Sequence, residues 1–164
     1  MIEGIGTICH EFTHCLGLPD IYDTAYGGGY GMGYWDLMNS GSYNSNGYIP
    51  AGFTSYEKMY CGWSQPIELK NDTVITGMKP LSEGGESYII YNDANRNEYY
   101  LLENRQKTGW DAGIPGNGLL VIHVDYDPTL TPDFQKLPKG GKRRLPPVSG
   151  FHFLTPATQG GSEF

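Results

Sequence analysis

The segment TICHEFTHCLGLPDIYD, residues 7–23, constrains the fold most, because it carries two histidines four residues apart. On an α-helix, residues four apart lie on the same face, so the His10 and His14 imidazoles can converge on one metal ion. Glu11 follows His10 directly, where its carboxylate can reach a water molecule without displacing a ligand. The HExxH spacing therefore predicts a metal-binding helix with Glu11 as a general base.

The residues after this helix predict a sharp turn. Gly17 can end the helix through a left-handed glycine cap, and Pro19 disfavours helical continuation. The turn can return Asp20 to the metal, which gives the pattern HExxHxxGxxD. Imidazole and carboxylate groups are ordinary zinc ligands, and three protein ligands leave an open position, which is typical of catalytic zinc. We therefore predict His10, His14 and Asp20 as zinc ligands.

A methionine in a turn-rich segment is the second feature. Metzincin proteases carry, downstream of their zinc motif, a tight turn whose methionine lies beneath the metal. The segment GYWDLMNSGSY, residues 33–43, places Met38 directly before Asn39, Ser40 and Gly41. An ordinary core methionine is the alternative, but the upstream zinc motif favours the Met-turn interpretation.

Four segments in order carry a resemblance to a known family: HEFTHCLGLPDIYD, GYWDLMNSGSY, PAGFTSYEKMYCGW and EYYLLENRQKTGWDAGIPGNGLLVIHVDYD. Together they resemble the M6 family of secreted bacterial metalloproteases, the immune inhibitor A group, over most of residues 4–127. The resemblance implies a zinc endopeptidase with a metzincin-like core, an aspartate as third ligand, and in many members structural calcium. It also implies a secreted or cell-surface protein of a bacterium.

One position departs from other metzincins. Several of them have a tyrosine two residues after the methionine, which moves onto the metal or the oxyanion, whereas this chain has Ser40. Tyr43 is a candidate for stabilising the transition state in its place. Tyr22 and Tyr34 compete for this role, and the sequence does not choose among the three.

The predicted fold class is α+β: the C-terminal part of a metzincin-like zincin catalytic domain, followed by a small antiparallel β domain. Residues 1–64 form the partial catalytic domain, with the active-site helix, the zinc motif, the Met-turn and a second helix. Residues 65–164 form a β-rich sheet or sandwich, which we expect to be truncated. Its predicted strands are DTVITGM (72–78), ESYIIYN (86–92), EYYLLENRQ (98–106), GLLVIHVDY (118–126) and FHFLTPA (151–157).

The two helices have recognisable faces and ends. In the first, an apolar face is predicted from Ile8, Phe12, Cys15 and Leu16. The second helix lies within AGFTSYEKMYCGW, where Thr54 or Ser55 can cap the start and Gly62 can end it. Its Phe53, Met59 and Tyr60 are expected to pack on the first helix.

Composition excludes several classes of partner. A formal net charge of -7 argues against nucleic acid or an anionic membrane surface. No apolar run approaches the ~20 residues of a membrane span. The oxygen atoms of Asp20, Asp23 and Asp36 are candidates for a calcium site. Cys9 and Cys15 share a helix and cannot bridge each other, whereas Cys61 can pair with either.

The chain starts nine residues before His10 and carries no signal peptide. We expect it to be a fragment of a longer secreted protein that lacks the upstream sheet of the substrate cleft, a loss that can leave the fragment inactive.

Two functions from different classes follow. In the first, the chain is a zinc endopeptidase that cleaves extracellular proteins, with Glu11 activating water and protonating the leaving amine. In the second, it is a secreted metal-binding adhesion or binding module without turnover. The intact Glu11 favours the first.

Overall fold

The computed structural model describes residues 4–22, 31–125 and 150–154, and this part of the chain is α+β, as predicted. Its α-helices are α1 (Ile5–His14) and α2 (Ser55–Tyr60). The strands are β1 (Ile67–Glu68), β2 (Tyr88–Asn92), β3 (Asn95–Arg105), β4 (Gly118–Asp125) and β5 (Gly150–Leu154). Short 3₁₀ helices lie at Gly33–Trp35, Ser40–Gly47, Leu81–Glu83 and Gly109–Asp111.

The five strands form one sheet in the order β1-β2-β3-β4-β5. Strands β2 to β5 pair antiparallel, as predicted, but β1 pairs parallel to β2. The sheet is therefore mixed, and the prediction of a purely antiparallel sheet was wrong. The long connection 69–87 explains the difference, because it carries the chain back to the end of the sheet where β1 began.

Four of the five predicted strands correspond to β2, β3, β4 and β5, whereas the predicted strand 72–78 does not form. The side chain of Val74, at its centre, is 88% exposed. A β-rich sequence forms a strand only where a neighbour offers backbone groups and a packing surface. Residues 72–78 pair with no described strand, and most of their side chains are exposed.

Helix α1 ends as predicted, but it packs through a different face. Gly17 has φ +88°, and its N–H donates to the His14 carbonyl at 3.0 Å. Ile8 and Phe12, two residues of the predicted apolar face, are 68% and 66% exposed. The buried residues of α1 are Gly6 and Thr13. The helix therefore meets the rest of the described chain through small residues, which permit a close backbone approach.

Glycine is required at this contact. A Cβ on Gly6 would lie 1.8 Å from the Ser42 carbonyl oxygen, and a Cβ on Gly4 would lie 2.2 Å from the Gly47 carbonyl carbon. Both separations are far below any van der Waals contact. The start of α1 is thus fixed against the 3₁₀ segment Ser40–Gly47, directly beside the Met38 turn.

Helix α2 begins and ends where the sequence predicts. Thr54 is its N-cap, and Thr54 and Glu57 form a reciprocal capping box in which each side chain bonds the other residue's backbone N–H. Gly62 follows the helix with φ +74°. Between the two possible caps, the structure selects Thr54.

One hydrophobic cluster joins the zinc-motif segment to the sheet. From the first part of the chain come Leu18, Ile21, Met32, Leu37, Met38 and Tyr56, and from the sheet Ile89, Tyr99, Leu101, Leu120, Ile122 and Val124. Phe53, Met59, Tyr60, Cys9 and Cys61 pack against this cluster, and Cys9, Cys15 and Cys61 are all free thiols. The domain boundary after residue 64 stays a prediction, although both sides share this core.

None of the described helices combines the length and the apolar character needed to cross a bilayer.

Candidate metal centre

Helix α1 presents both histidines of the motif on one side, as their spacing predicts. The ring centroids of His10 and His14 are 5.0 Å apart, and the ring planes are nearly perpendicular, at 89°. Their side chains are 13% and 33% exposed. Both rings are therefore accessible to a small ion while resting against the protein.

Backbone carbonyls fix the orientation of both rings. The Nδ1–H of His10 donates to the Leu37 carbonyl at 2.9 Å, and the Nδ1–H of His14 donates to the Leu18 carbonyl at 2.8 Å. A carbonyl oxygen only accepts, so each Nδ1 must carry the proton. In the neutral imidazole, Nε2 then holds a free lone pair, which is the tautomer that binds a metal.

The glycine turn brings Asp20 to these two lone pairs. The Asp20 Oδ1 atom lies 3.1 Å from His10 Nε2 and 3.5 Å from His14 Nε2, with the aspartate side chain 27% exposed. Three acceptor atoms facing one another repel, unless a cation lies among them or a ring nitrogen takes up a further proton. Two imidazole nitrogens and one carboxylate oxygen are a donor set that suits zinc.

This cluster is distinctive within the part of the chain that the structure describes. Only His10, His14 and Asp20 there form a group of three or more His, Cys, Asp or Glu side chains with ligand atoms all within 4.8 Å. A calcium site built from Asp20, Asp23 and Asp36 gains no support, because Asp36 is fully buried and does not belong to this cluster. Asp23 lies outside the described residues.

Glu11 is exposed and follows His10 on α1. It lies on the same helix that carries two of the three clustered side chains. The role of general base stays a prediction.

The Met38 turn lies directly against the segment that carries Asp20. Met38 is completely buried, and its carbonyl accepts the Ile21 N–H at 2.9 Å. The adjacent Leu37 carbonyl is the one that orients His10. The turn thus supports the cluster from two sides, and the Met-turn assignment stays a prediction.

The three tyrosines considered for transition-state stabilisation are all substantially exposed. Tyr43 is 65% exposed, Tyr34 56% and Tyr22 46%. Each is therefore accessible from solvent, and the prediction that Tyr43 fills this role stays open.

A buried ion cluster was not predicted. Arg105 binds Asp111 bidentately at 2.6 and 2.9 Å and donates to Glu103 at 2.9 Å. The second Glu103 oxygen accepts the Ser55 N–H at 2.6 Å, and Asp111 accepts the Gly52 N–H at 3.0 Å. Burial by itself lowers the pKa of Arg105, but the two carboxylates outweigh it and raise that pKa. A signal existed in the sequence, because two opposite charges two residues apart in an apolar strand share one face.

Two further carboxyl groups are buried beside this ion cluster. Asp36 Oδ1 accepts the Met38 N–H at 2.6 Å, and Glu57 Oε2 accepts the Thr54 N–H at 2.6 Å. Their other oxygens, Asp36 Oδ2 and Glu57 Oε1, have no hydrogen-bond donor among the described residues. Burial raises the pKa of Asp36 to about 7 and raises the pKa of Glu57 well above its usual range, where the Asp36 charge adds to the effect. The two side chains interact directly, so a shared proton would supply the donor that both oxygens need.

Part of the chain is similar in sequence to known metalloproteases. Residues 2–65 match the family model described as Immune inhibitor A peptidase M6, catalytic domain. The protein called Pre-pro-metalloprotease PrtV, in Vibrio cholerae serotype O1 strains M66-2 and ATCC 39315 / El Tor Inaba N16961, is 45% identical over 58 residues. That match covers 34% of this chain and only 6% of each relative's length. No solved structure matches this chain significantly.

Proposed function

We propose that this chain contains part of an M6-type, zinc-dependent endopeptidase that hydrolyses peptide bonds of extracellular proteins. The observation that carries the proposal is the convergence of His10 Nε2, His14 Nε2 and Asp20 Oδ1 within a segment that resembles M6 catalytic domains. The relatives found are named as metalloproteases, and this supports peptide-bond hydrolysis as the class of reaction.

His10, His14 and Asp20 would hold the zinc ion. The ion, when bound, supplies a Lewis acid that polarises a peptide carbonyl and increases the acidity of water. The Leu37 and Leu18 carbonyls keep each Nε2 lone pair directed at the ion, since they fix the proton on each Nδ1.

Glu11 would act as the general base and acid of the reaction. Its exposed carboxylate oxygens can accept a proton from the attacking water and later deliver it to the leaving amine nitrogen. Tyr43 remains the candidate whose phenolic O–H stabilises the developing oxyanion, and Met38 would form the buried floor of the site.

An extracellular site of action is part of the proposal. It is supported by the resemblance to secreted bacterial metalloproteases.

The first test measures zinc content by elemental analysis and peptide hydrolysis on an unstructured protein substrate. We expect about one zinc per chain after dialysis against zinc-free buffer, and well below one in His14→Ala and Asp20→Ala, whose two remaining ligands hold zinc only weakly. The matched control is His123→Ala, which removes a strand histidine that pairs with Glu98 at 3.0 Å instead of with the cluster.

The second test separates turnover from metal binding. In Glu11→Gln, zinc should stay bound while hydrolysis falls by about 10²–10⁴-fold, the usual contribution of a general base. Glu83→Gln, a change of the same kind at another exposed glutamate, should keep the wild-type rate. Zinc binding with no hydrolysis by wild type or by a longer chain would support a binding module instead.

A further inference from the structure

The segment that carries Asp20 is packed into the protein on both sides of the aspartate. Leu18 and Ile21, which flank it, are 1% and 7% exposed and belong to the hydrophobic cluster. Asp20 itself projects from this buried frame toward the two imidazoles. The direction of its carboxylate therefore depends on how the backbone of residues 17–21 is fixed.

Upstream of Asp20, the anchor is Tyr60 near the end of α2. Its hydroxyl donates to the Gly17 carbonyl at 3.0 Å, across a sequence separation of 43 residues. Gly17 has φ +88°, and a Cβ there would lie 3.3 Å from the Tyr60 oxygen. The tyrosine thus closes over the left-handed turn that separates His14 from Asp20.

Downstream, the anchor is Asn39, directly after Met38. Its Nδ2 donates to the Ile21 carbonyl at 2.7 Å, while the Ile21 N–H donates to the Met38 carbonyl at 2.9 Å. Asn39 is itself 7% exposed, and its Oδ1 accepts the Ser40 N–H at 2.7 Å. Both polar groups of the Ile21 backbone are therefore bound to the Met38 turn.

Neither anchor touches His10, His14 or Asp20 through a hydrogen bond that the described residues show, so their influence must pass through the backbone. A metal ligand on a loop must be ordered before it can bind. Groups hydrogen-bonded directly to a ligand commonly contribute roughly 10- to 100-fold to metal affinity, and contacts that act through the backbone are expected at the lower end of that range. Without the two anchors, the backbone around Asp20 keeps its apolar contacts but gains rotational freedom.

We propose that Tyr60 and Asn39 are positioning residues that fix Asp20 as the third metal ligand. The inference rests on the proposed zinc site and adds the means by which the aspartate is held there.

The experiment measures zinc affinity of the whole chain by competition with a chromophoric chelator. Tyr60→Phe removes only the hydroxyl and should weaken zinc binding about tenfold. Asn39→Leu, which removes the amide at nearly constant volume, should weaken it by at least as much. Tyr100→Phe is the matched control, because this half-exposed β3 tyrosine stacks on His123 at 4.7 Å and does not reach the turn.

Tyr60→Phe is then made in an Asp20→Ala background, where the two histidines still bind zinc weakly. If Tyr60 acts through Asp20, Asp20→Ala and Asp20→Ala/Tyr60→Phe should agree within about twofold. A purely structural role predicts that the tenfold loss persists in the double variant, and that result overturns the proposal.

Two other results have separate meanings. Wild-type affinity in both Tyr60→Phe and Asn39→Leu overturns the positioning role and leaves the zinc site intact. No zinc binding by the wild type overturns the zinc site and the positioning role together.

Discussion

Two clusters in this molecule bring acceptor atoms that repel one another close together, and the repulsion is compensated in opposite ways in the two. The open cluster, His10, His14 and Asp20, is 13–33% exposed by side chain. The closed cluster contains Asp36, Glu57, Glu103, Arg105 and Asp111, all between 0% and 2% exposed. The open cluster has no cationic side chain among its three members, whereas the closed cluster contains an arginine.

The contrast indicates which cluster is suited to bind a metal ion and which one stabilises the fold. In the closed cluster, four carboxyl groups share one guanidinium, and the two that Arg105 does not bind, Asp36 and Glu57, are driven toward their protonated forms by burial. Most of its charge is compensated from inside, by the guanidinium and by protonation, and the Ser55 and Gly52 N–H groups stabilise the remaining carboxylate charge. The open cluster can be compensated only from outside, by a proton or an exchangeable cation, and that is the property a catalytic metal site needs.

The two clusters meet at the Met38 turn. Asp36 belongs to the closed cluster and accepts the Met38 N–H at the turn. The carbonyl of Leu37, which lies between these two residues, orients His10. The buried charges therefore support the geometry of the open site without contributing a ligand to it.

The largest expected effect is on the closed cluster. Replacing Arg105 with methionine leaves buried carboxylates without their cation, which usually costs about 3–5 kcal/mol of the free energy of unfolding. Urea denaturation should detect this loss. The control is Arg96→Met, since Arg96 is 59% exposed, pairs with Glu68 at 3.2 Å, and should cost less than about 1 kcal/mol. Equal losses of unfolding free energy in the two variants would show that the buried ion cluster contributes no more to stability than an exposed ion pair.

The second prediction is a pH dependence of stability. Burial raises the pKa of Asp36 from 3.8 to about 7, so the folded chain keeps a proton that the unfolded chain has lost in this range. The contribution of Asp36 to stability is then greatest below pH ~4, falls by up to about 1.4 kcal/mol per pH unit, and levels off above ~7. The elevated pKa of Glu57 acts in the same direction, whereas Arg105 opposes both.

Asp36→Asn tests this assignment, because asparagine can still accept the Met38 N–H and can donate to Glu57 without titrating. In metal-free buffer, the difference in unfolding free energy between wild type and this variant should depend on pH between about 4 and 7. Asp72→Asn, at an exposed position, should run parallel to wild type. A constant difference between wild type and Asp36→Asn would mean that Asp36 is ionised throughout.

The third prediction concerns the open cluster. Zinc at about one hundred times its dissociation constant should raise the unfolding free energy by about 2.7 kcal/mol, because only the folded chain brings the three ligands together. Asp20→Ala should lose most of this stabilisation at the same zinc concentration. Asp93→Ala, which removes an exposed carboxylate from the β2–β3 turn, should retain it. Equal stabilisation of both variants would place the zinc elsewhere.

The sequence predicts the open cluster well because its determinants are local. The spacing of His10 and His14 fixes their common face, and Gly17 adopts the left-handed conformation that returns Asp20. Each step needs only a few neighbouring residues. The cap of α2 at Thr54 is local in the same way.

Features that depend on distant contacts could not be predicted in this manner. The apolar stripe containing Ile8 and Phe12 indicates a buried face, yet α1 packs through Gly6 and Thr13. The carbonyls that orient the histidines, and the Asn39 and Tyr60 contacts, join residues up to 43 apart. Backbone acceptors leave no mark in the amino-acid sequence, so only the packed structure reveals them.

The smallest expected effect tests whether the two clusters are energetically separable. Thr54 is completely buried, donates its hydroxyl proton to Glu57 at 3.0 Å and accepts the Glu57 N–H at 3.3 Å. Thr54→Ala should therefore lower the free energy of unfolding by about 1 kcal/mol, the usual cost of a lost N-cap, and Thr54→Ser should restore most of it. Zinc affinity should stay within about twofold of wild type, since α2 holds the Asp20 turn through Tyr60, at its opposite end. A tenfold loss of zinc affinity in Thr54→Ala, rescued by Thr54→Ser, would instead mean that the closed cluster sets the geometry of the open one through the whole of α2.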